Sequence, residues 1–253
     1  MPAQITREEM DEMMAPYVGK HSGQKCLLVG GGTSGAGWKE LAAEVKPDIV
    51  IGMNAAKIAI PNLDYWLCHE NMERHWRLAK KGEAESIEHM RAWQTPGPKV
   101  GFLNKNSYQW LEDKRNMYPI YGCQAHELTS FRRYNGLLCG PWIKQPNVAQ
   151  VEIPIGTVAS RALHLAGILG FTEVHSIGFD LCFKDDKHHH WYEFPLYHVE
   201  AVRTEKMFVE YLGLKTQWIW IETAQWLLSL IPKMEEDGMH WTDHSEGLMD
   251  RLK

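Results

Sequence analysis

The chain has 253 residues, with 27 Lys and Arg against 32 Asp and Glu, and its formal net charge is −5. This negative balance argues against a nucleic-acid binder that works by bulk positive charge. No stretch approaches the roughly 18 apolar residues that a membrane span needs, and the polar N-terminus lacks the apolar segment of a secretory signal.

Short apolar runs alternate with helical patterns in the first part of the chain. Residues 25–29 form an apolar run that leads into a glycine-rich turn, and a helix is predicted over residues 38–46. Further strands are predicted over residues 49–53, 62–68 and 99–103, with helices over residues 71–81 and 85–93. A strand, a glycine-rich turn, a helix and a second strand are typical of a right-handed βαβ unit.

The second part of the chain begins with residues 104–150, which lack clean periodicity and are predicted to be an irregular insertion. Alternation then resumes. The predicted elements are a weak strand over 148–153, a helix over 157–169, a strand over 173–177, a helix over 198–212 and a last strand over 216–221. This pattern predicts one α/β domain over residues 1–232, with a mostly parallel sheet and helices on both faces. Residues 233–253 are predicted to be a polar, partly disordered C-terminal tail.

The five Cys residues contain no C-x-x-C pair. Such a distribution favours free thiols in a reducing compartment over a disulfide framework. A cytoplasmic location is therefore predicted.

Glycines follow the first predicted strand in the spacing G-x-G-x-x-G, at Gly30, Gly32 and Gly35. The backbone N–H groups of such a turn and the dipole of the helix after it can hold a phosphate. A dinucleotide-binding fold places Asp or Glu at the end of the second strand, whereas this chain has Asn54, which argues against NAD. No Lys-Ser/Thr pair follows the glycines, so a Walker A loop is excluded. A glycine-rich turn without a ligand remains an alternative.

A second concentration of polar and small residues surrounds the predicted strand over 173–177. Gly156 and Thr157 open an Ala-rich helix, and the strand delivers Asp180 to its carboxyl end. Ligands of open α/β sheets bind at the carboxyl ends of the strands. Thr157 is therefore either a helix N-cap or a contact for a nucleotide.

The loop beyond Asp180 carries imidazole and phenol groups. The consecutive residues 188–190 are all His and cannot converge on one ion, so no metal site is predicted. Tyr192, Tyr197 and His198 are better candidates for chemistry. A Tyr hydroxyl can donate to a departing phosphate, and a His that titrates near neutrality can accept a proton from an attacking hydroxyl. Ordinary loop positions are the alternative for each.

Five short blocks occur in order: Val29-Gly30-Gly31-Gly32-Thr33-Ser34, Gly52-Met53-Asn54, Asp64-Tyr65-Trp66-Leu67, Gly156-Thr157-Val158-Ala159 and Ile177-Gly178-Phe179-Asp180. The ordered set resembles the MptE-like superfamily, which includes archaeal 6-hydroxymethyl-dihydropterin pyrophosphokinases and motility-associated flagellin glycosyltransferases. It also resembles the related bacterial sialyltransferases that use CMP-sialic acid without a metal. The resemblance implies a modified Rossmann-like, doubly wound sheet with a lid-like insertion at about residues 104–150.

The resemblance also implies site residues. The residues expected to hold the nucleotide are Gly30, Gly31, Gly32, Thr33, Ser34, Asn54, Gly156, Thr157 and Asp180. His198 takes the place of the catalytic His of the sialyltransferase-like proteins, and Tyr192 and Tyr197 take the place of their phosphate-binding tyrosines. The turn after the first strand departs from their pattern, because it lacks their Asn and Pro.

These observations predict a nucleotide-sugar-dependent glycosyltransferase that works by direct displacement without a metal. A CMP-type donor is its substrate, a glycan or small molecule is its acceptor, and no tightly bound cofactor is expected. One alternative is a Mg²⁺/ATP pyrophosphokinase acting on a pterin-like alcohol, with Asp180, Asp185 or Glu70 on the metal. Another is a non-catalytic nucleotide- or glycan-binding protein. No nucleic-acid or membrane partner is predicted, and the sequence leaves the oligomeric state open.

Overall fold

The computed structural model describes residues 15–54, 56–60, 63–68, 100–103, 124–127, 157–184 and 208–253. The strands are Lys25–Val29 (β1), Ile49–Met53 (β2), Tyr65–Cys68 (β3), Val100–Leu103 (β4), Gln124–Glu127 (β5), Glu173–Ile177 (β6), Phe208–Tyr211 (β7), Leu214–Gln217 (β8) and His240–Asp243 (β9). The helices are Trp38–Val45 (α1), Ala56–Ala59 (α2), Val158–Leu169 (α3), Trp218–Glu236 (α4) and Leu248–Leu252 (α5), with a 3₁₀ turn at Thr33–Gly37. Within these described ranges, none of the helices combines the length and apolarity that crossing a membrane requires.

Seven strands form one sheet in the order β5-β4-β3-β2-β1-β6-β9. Every neighbouring pair in this sheet is parallel. The chain builds outward from β1 to β5 on one side and then returns to the other side of β1 with β6 and β9. The predicted mostly parallel α/β sheet is therefore confirmed, and its strand order reverses between β1 and β6.

Apolar side chains cover both faces of the sheet. Along β1, Cys26 and Leu28 enter a larger core that also holds side chains of α3, α4 and α5. Leu27 and Val29 enter a smaller core on the other face, against α1 and Ile177. Because residues 26–29 of β1 are buried on both faces of the sheet, they are apolar without interruption instead of alternating.

Helix α3 packs on β1, β2 and β3 and leads into the amino end of β6. Its first turn is capped by Thr157, and it ends at Gly170, whose φ of 85° is a left-handed conformation that glycine adopts without strain. Small residues such as Ala162 and Ala166 are fully buried, which lets the helix lie close to the sheet. The predicted helix over residues 157–169 is confirmed.

The predictions for the segment after residue 207 are wrong in register and type. Residues 208–211 form strand β7, where the helix predicted over 198–212 was expected to continue. Strand β8 ends at Gln217, so most of the strand predicted over 216–221 is the beginning of α4. The two strands form an antiparallel hairpin. Its two turn residues, Leu212 and Gly213, have φ values of 52° and 73°. A two-residue hairpin turn with two positive φ angles usually contains Asn-Gly or Asp-Gly. This turn has Leu-Gly, so the sequence did not predict a hairpin here.

The prediction of a polar tail from residue 233 is also corrected. Lys233 lies within α4, and β9 pairs in parallel with β6. Met239, Leu248 and Met249 are buried in the larger core. Strand β9 was not predicted because its residues are mostly polar, as is common for a strand at the edge of a sheet.

The irregular insertion predicted over residues 104–150 contains at least one strand of the sheet, since β5 pairs in parallel with β4. The helices predicted over 71–81 and 85–93 and the weak strand predicted over 148–153 lie outside the described residues. The strand predicted over 62–68 is shorter, beginning at Tyr65, and that predicted over 99–103 begins at Val100.

Candidate functional site

The glycine-rich turn after β1 packs directly on the backbone that follows β6. Gly30 N–H donates to the Ile177 carbonyl oxygen at 2.8 Å, and Gly32 N–H donates to the Gly178 carbonyl oxygen at 2.9 Å. A methyl group on Gly30 would lie 2.3 Å from the Gly178 oxygen. Gly178 itself has φ of 79°. These glycines are therefore required by close contact between two backbone segments.

The carboxylate of Asp180 joins the two segments. Its Oδ2 accepts hydrogen bonds from Thr33 Oγ1 and from Ser34 N–H, each at 2.9 Å, and its Oδ1 accepts one from Ser34 Oγ. The residue is 1% exposed. Burial raises the pKa of this carboxyl above its ordinary value, while the hydrogen bonds from Ser34 and Thr33 oppose that rise. We call this arrangement of residues 30–34 with 178–180 the glycine joint.

The glycine joint brings together the predicted nucleotide-binding residues at positions 30–34 and Asp180. Their polar groups nevertheless contact one another. Ser34 Oγ accepts a further hydrogen bond from Gly178 N–H at 3.0 Å. The Ser34 N–H, which the sequence pattern offered to a phosphate, is bound to a carboxylate of the protein itself. The anion-binding capacity of this amide is thus used inside the fold.

Asn54 and Thr157 also have structural partners. Asn54 lies at the carboxyl end of β2 with φ of 47°, a conformation that Asn tolerates well. Its main-chain carbonyl oxygen accepts a hydrogen bond from Trp66 Nε1 at 2.8 Å. Thr157 Oγ1 accepts from Ser160 N–H at 3.4 Å, so it is the N-cap of α3. Gly156 and the predicted catalytic residues Tyr192, Tyr197 and His198 lie outside the described residues.

A cavity of about 830 Å³ opens beside the glycine joint, at the carboxyl ends of β1, β6 and β9. We call it the carboxyl-edge cavity. Its described lining comes from Thr33, from residues 182–184 after β6, from the hairpin of β7 and β8, and from residues 246–251 after β9. Asn54 and Thr157 are absent from the described lining.

The hairpin wall is fixed to the loop after β6. Phe183 N–H donates to the Lys215 carbonyl oxygen at 2.8 Å, and Thr216 Oγ1 donates to the Leu181 carbonyl oxygen at 2.6 Å. The Phe183 ring packs on Phe208, with ring centroids 4.5 Å apart. The cavity therefore has an aromatic element next to backbone that is held in place by hydrogen bonds.

The C-terminal wall is fixed to the same loop. Leu248 N–H donates to the Asp180 carbonyl oxygen at 2.9 Å, and Phe179 N–H donates to Ser245 Oγ at 2.7 Å. Gly247 has φ of 139°, and a methyl group there would lie 2.5 Å from the Asp180 oxygen. Asp180 thus holds the glycine turn with its side chain and the C-terminal segment with its backbone.

Charged side chains of both signs line the cavity. The cationic lining residues are Lys184, Lys215 and Arg251, and the anionic ones are Glu210, Glu246 and Asp250. Cys182 also lines the cavity, but burial raises the pKa of its thiol to about 11. That thiol is protonated at neutral pH and is a poor nucleophile. The lining is suited to a ligand that carries anionic groups together with hydroxyl groups.

Within the described ranges, no group of three or more His, Cys, Asp or Glu residues is arranged to hold a metal ion. Searches of protein-family models and of curated proteins each found no match to this chain.

The sequence interpretation missed most of the cavity lining. Lys215 lay just before the misplaced strand predicted over residues 216–221, and Glu246 and Arg251 lay in the predicted tail. No local pattern joins these residues to the glycine turn. Lys184 could have been found, since it follows β6 and side chains at the carboxyl ends of parallel strands face the ligand crevice.

Proposed function

We propose that the protein is a nucleotide-sugar-dependent glycosyltransferase, with a CMP-type donor that binds in the carboxyl-edge cavity of a modified Rossmann-like, doubly wound fold. The observation that carries the proposal is the position of this cavity. It is lined by Thr33 beyond β1 and by Cys182 beyond β6, the two strands between which strand order reverses. Open α/β sheets bind ligands at this reversal point, outside the carboxyl ends of the strands.

The lining chemistry supports a donor with two kinds of polar group. Lys184, Lys215 and Arg251 offer charge-assisted hydrogen bonds to a phosphate. Glu246 and Asp250 offer acceptors for sugar hydroxyl groups. A nucleotide sugar presents both chemistries in one molecule, whereas a bare polyphosphate would meet the carboxylates without any hydroxyl group to satisfy them.

The catalytic step is a single displacement. An oxygen of the acceptor attacks the anomeric carbon of the donor, and the bond from that carbon to the phosphate oxygen breaks. His198 accepts the proton of the attacking hydroxyl, and Tyr192 and Tyr197 donate hydrogen bonds to the departing nucleotide phosphate. Lys184 and Phe208 flank the segment that carries these three residues, and both line the cavity. That adjacency supports their assignment to this site.

The first experiment is a thermal-shift screen of the full chain with CMP, UDP, GDP, ADP and ATP, each with and without Mg²⁺. A ligand that binds the folded state raises the apparent stability by mass action. We expect a shift with CMP that does not depend on Mg²⁺. ATP binding that strictly requires Mg²⁺ would instead favour the pyrophosphokinase alternative, and no shift with any nucleotide would overturn the proposal.

The second experiment measures transfer from CMP-activated sugars to a panel of glycan acceptors. His198→Ala should lower turnover by about 10²- to 10⁴-fold, the usual contribution of a general base, and leave CMP affinity nearly unchanged. His240→Ala is the matched control, because His240 is exposed on β9 and is not part of the described cavity lining. Retained transfer in His198→Ala would refute its assignment, and binding without any transfer would identify a non-catalytic binding protein.

A further inference from the structure

We infer that the donor phosphate lies against Lys184, Lys215 and Arg251, on the outer walls of the carboxyl-edge cavity, and not at the glycine turn. The inference rests on the proposed function, and it specifies where the anionic part of the ligand binds. It reverses the assignment that the glycine motif alone would give, in which the turn after β1 holds the phosphate.

The polar groups of the glycine turn are already bound within the protein. The Ser34 N–H is already bound to Asp180 Oδ2 at 2.9 Å, and the Thr33 hydroxyl donates to the same oxygen. A phosphate at this amide would displace an existing hydrogen bond and would lie within contact distance of a buried carboxyl group. Repulsion between like charges is strong at such a distance in a poorly solvated site. Thr33 therefore contributes a wall of the cavity and not a phosphate contact.

The cationic side chains of the cavity lining are accessible to a ligand. Lys184 and Arg251 are exposed, and within the described part of the chain neither forms an ion pair. Two cations that line the same cavity without a carboxylate partner can turn to a ligand at little cost. Lys215 is half-buried, and its Nζ lies 4.8 Å from the centroid of the Phe208 ring, so this ring of the hairpin positions the ammonium group. The three come from separate segments of the chain and line the same cavity.

The carboxylates of the cavity lining are placed beside one of these cations. Glu246 and Asp250 lie on the same C-terminal segment as Arg251. A phosphate that contacts Arg251 places the attached sugar near these acceptors, which can bind its hydroxyl groups. The same carboxylates disfavour a ligand that is anionic along its whole length. The inferred ligand class is therefore a phosphate ester of a polyhydroxylated sugar.

The test compares the affinities of CMP and cytidine by isothermal titration calorimetry, because the two ligands differ by the phosphate. The wild-type protein should bind CMP more tightly than cytidine. In the double variant Lys184→Ala/Arg251→Ala, CMP should bind about 100-fold more weakly, since each charge-assisted hydrogen bond is worth about tenfold. Cytidine affinity should change little, so the preference for CMP should nearly vanish.

The control is the double variant Lys20→Ala/Lys233→Ala, which removes the same charge from two residues outside the described cavity lining. Circular dichroism would verify that both double variants are folded. The single variant Lys184→Arg, which keeps the positive charge, should retain most of the preference for CMP that the single variant Lys184→Ala loses. An unchanged preference in Lys184→Ala/Arg251→Ala overturns this inference alone. If the wild-type protein binds no nucleotide, the proposed function and this inference both fail.

Discussion

The glycine joint and the walls of the carboxyl-edge cavity lie side by side, yet they treat polar groups in opposite ways. In the joint, the Asp180 carboxylate accepts three hydrogen bonds from Thr33 and Ser34 and is 1% exposed. In the walls, the charged residues Lys184 and Arg251 are exposed and form no ion pair with other described residues. The polar groups of the glycine-rich turn are hydrogen-bonded within the fold, whereas Lys184 and Arg251, which belong to no recognisable motif, are available to a ligand.

This difference teaches that a glycine-rich turn after a first strand has two physical explanations. The glycines of a ligand site admit a phosphate, whereas those of a joint admit another backbone segment. Here the contact of Gly30 with Gly178 establishes the second explanation. Such a turn still lies at the edge of the sheet where open α/β folds bind their ligands, because the joint forms where strand order reverses.

The largest effect is expected from Gly30→Ala. The added methyl group would lie 2.3 Å from the Gly178 carbonyl oxygen and 2.8 Å from its carbon, so one backbone segment must move. We expect a loss of about 3 kcal/mol or more in the free energy of unfolding, measured by urea denaturation. Gly37→Ala is the matched control, because its nearest neighbour would be a side-chain methyl at 3.6 Å. Equal stability of the two variants would contradict the close contact in the joint.

Asp180→Ala should have the next largest effect. The change leaves the Thr33 hydroxyl and the amide and hydroxyl of Ser34 without their acceptor, at a cost of about 2–3 kcal/mol. Asp180→Asn should lose less, since it keeps one acceptor oxygen and removes the cost of burying a charge. Asp250→Ala, in the exposed cavity wall, should stay within about 0.5 kcal/mol of wild type. If Asp180→Ala left stability intact and abolished CMP binding, Asp180 would be a ligand contact, and the glycine joint would not be a purely structural region.

Thr33 belongs to both regions, because it lines the cavity and donates to Asp180 at 2.9 Å. Thr33→Val keeps the shape of the side chain and removes that hydrogen bond, so we expect a loss of about 1 kcal/mol in unfolding free energy. Thr33→Ser keeps the hydroxyl and should retain most of the stability. CMP affinity should be similar in both variants. A large loss of affinity in Thr33→Val alone would indicate that its hydroxyl reaches the ligand.

The sequence predicted the centre of the sheet well and its periphery poorly. Strands β1 and β2 are short, mostly apolar runs, and that pattern is typical of strands buried on both faces. Strand β6 mixes apolar and polar residues, but Gly170 and Gly178 mark its two ends. Strand β9 and the hairpin carry polar residues or an unusual turn residue, so local patterns did not identify them. The interpretation placed Gly30 and Asp180 at one edge, but the hydrogen bonds between residues 34 and 180 depend on three-dimensional contacts that no spacing encodes.

The smallest expected effect concerns the C-terminal wall and its dependence on pH. His244 precedes Ser245 in that wall, and its Nε2 lies 3.0 Å from Nδ1 of His175, whose Nε2 lies 2.9 Å from Glu173 Oε1. Burial lowers the pKa of His244 below its ordinary value of 6.5, and the nearby His175 and Lys253 lower it further, while Glu44 opposes them. The folded state therefore favours the neutral form of this imidazole.

Because the unfolded chain binds a proton at His244 more readily than the folded chain, stability should fall as pH drops below about 6.5. Glu173 acts in the same direction at lower pH, since hydrogen bonds from Lys25 and His175 lower its pKa below 4.5. His244→Gln removes the first contribution and leaves the second. Urea denaturation between pH 7 and pH 5 should give a shallower decline of stability for His244→Gln than for wild type. Parallel curves would show that His244 titrates alike in the folded and unfolded states and would contradict this prediction.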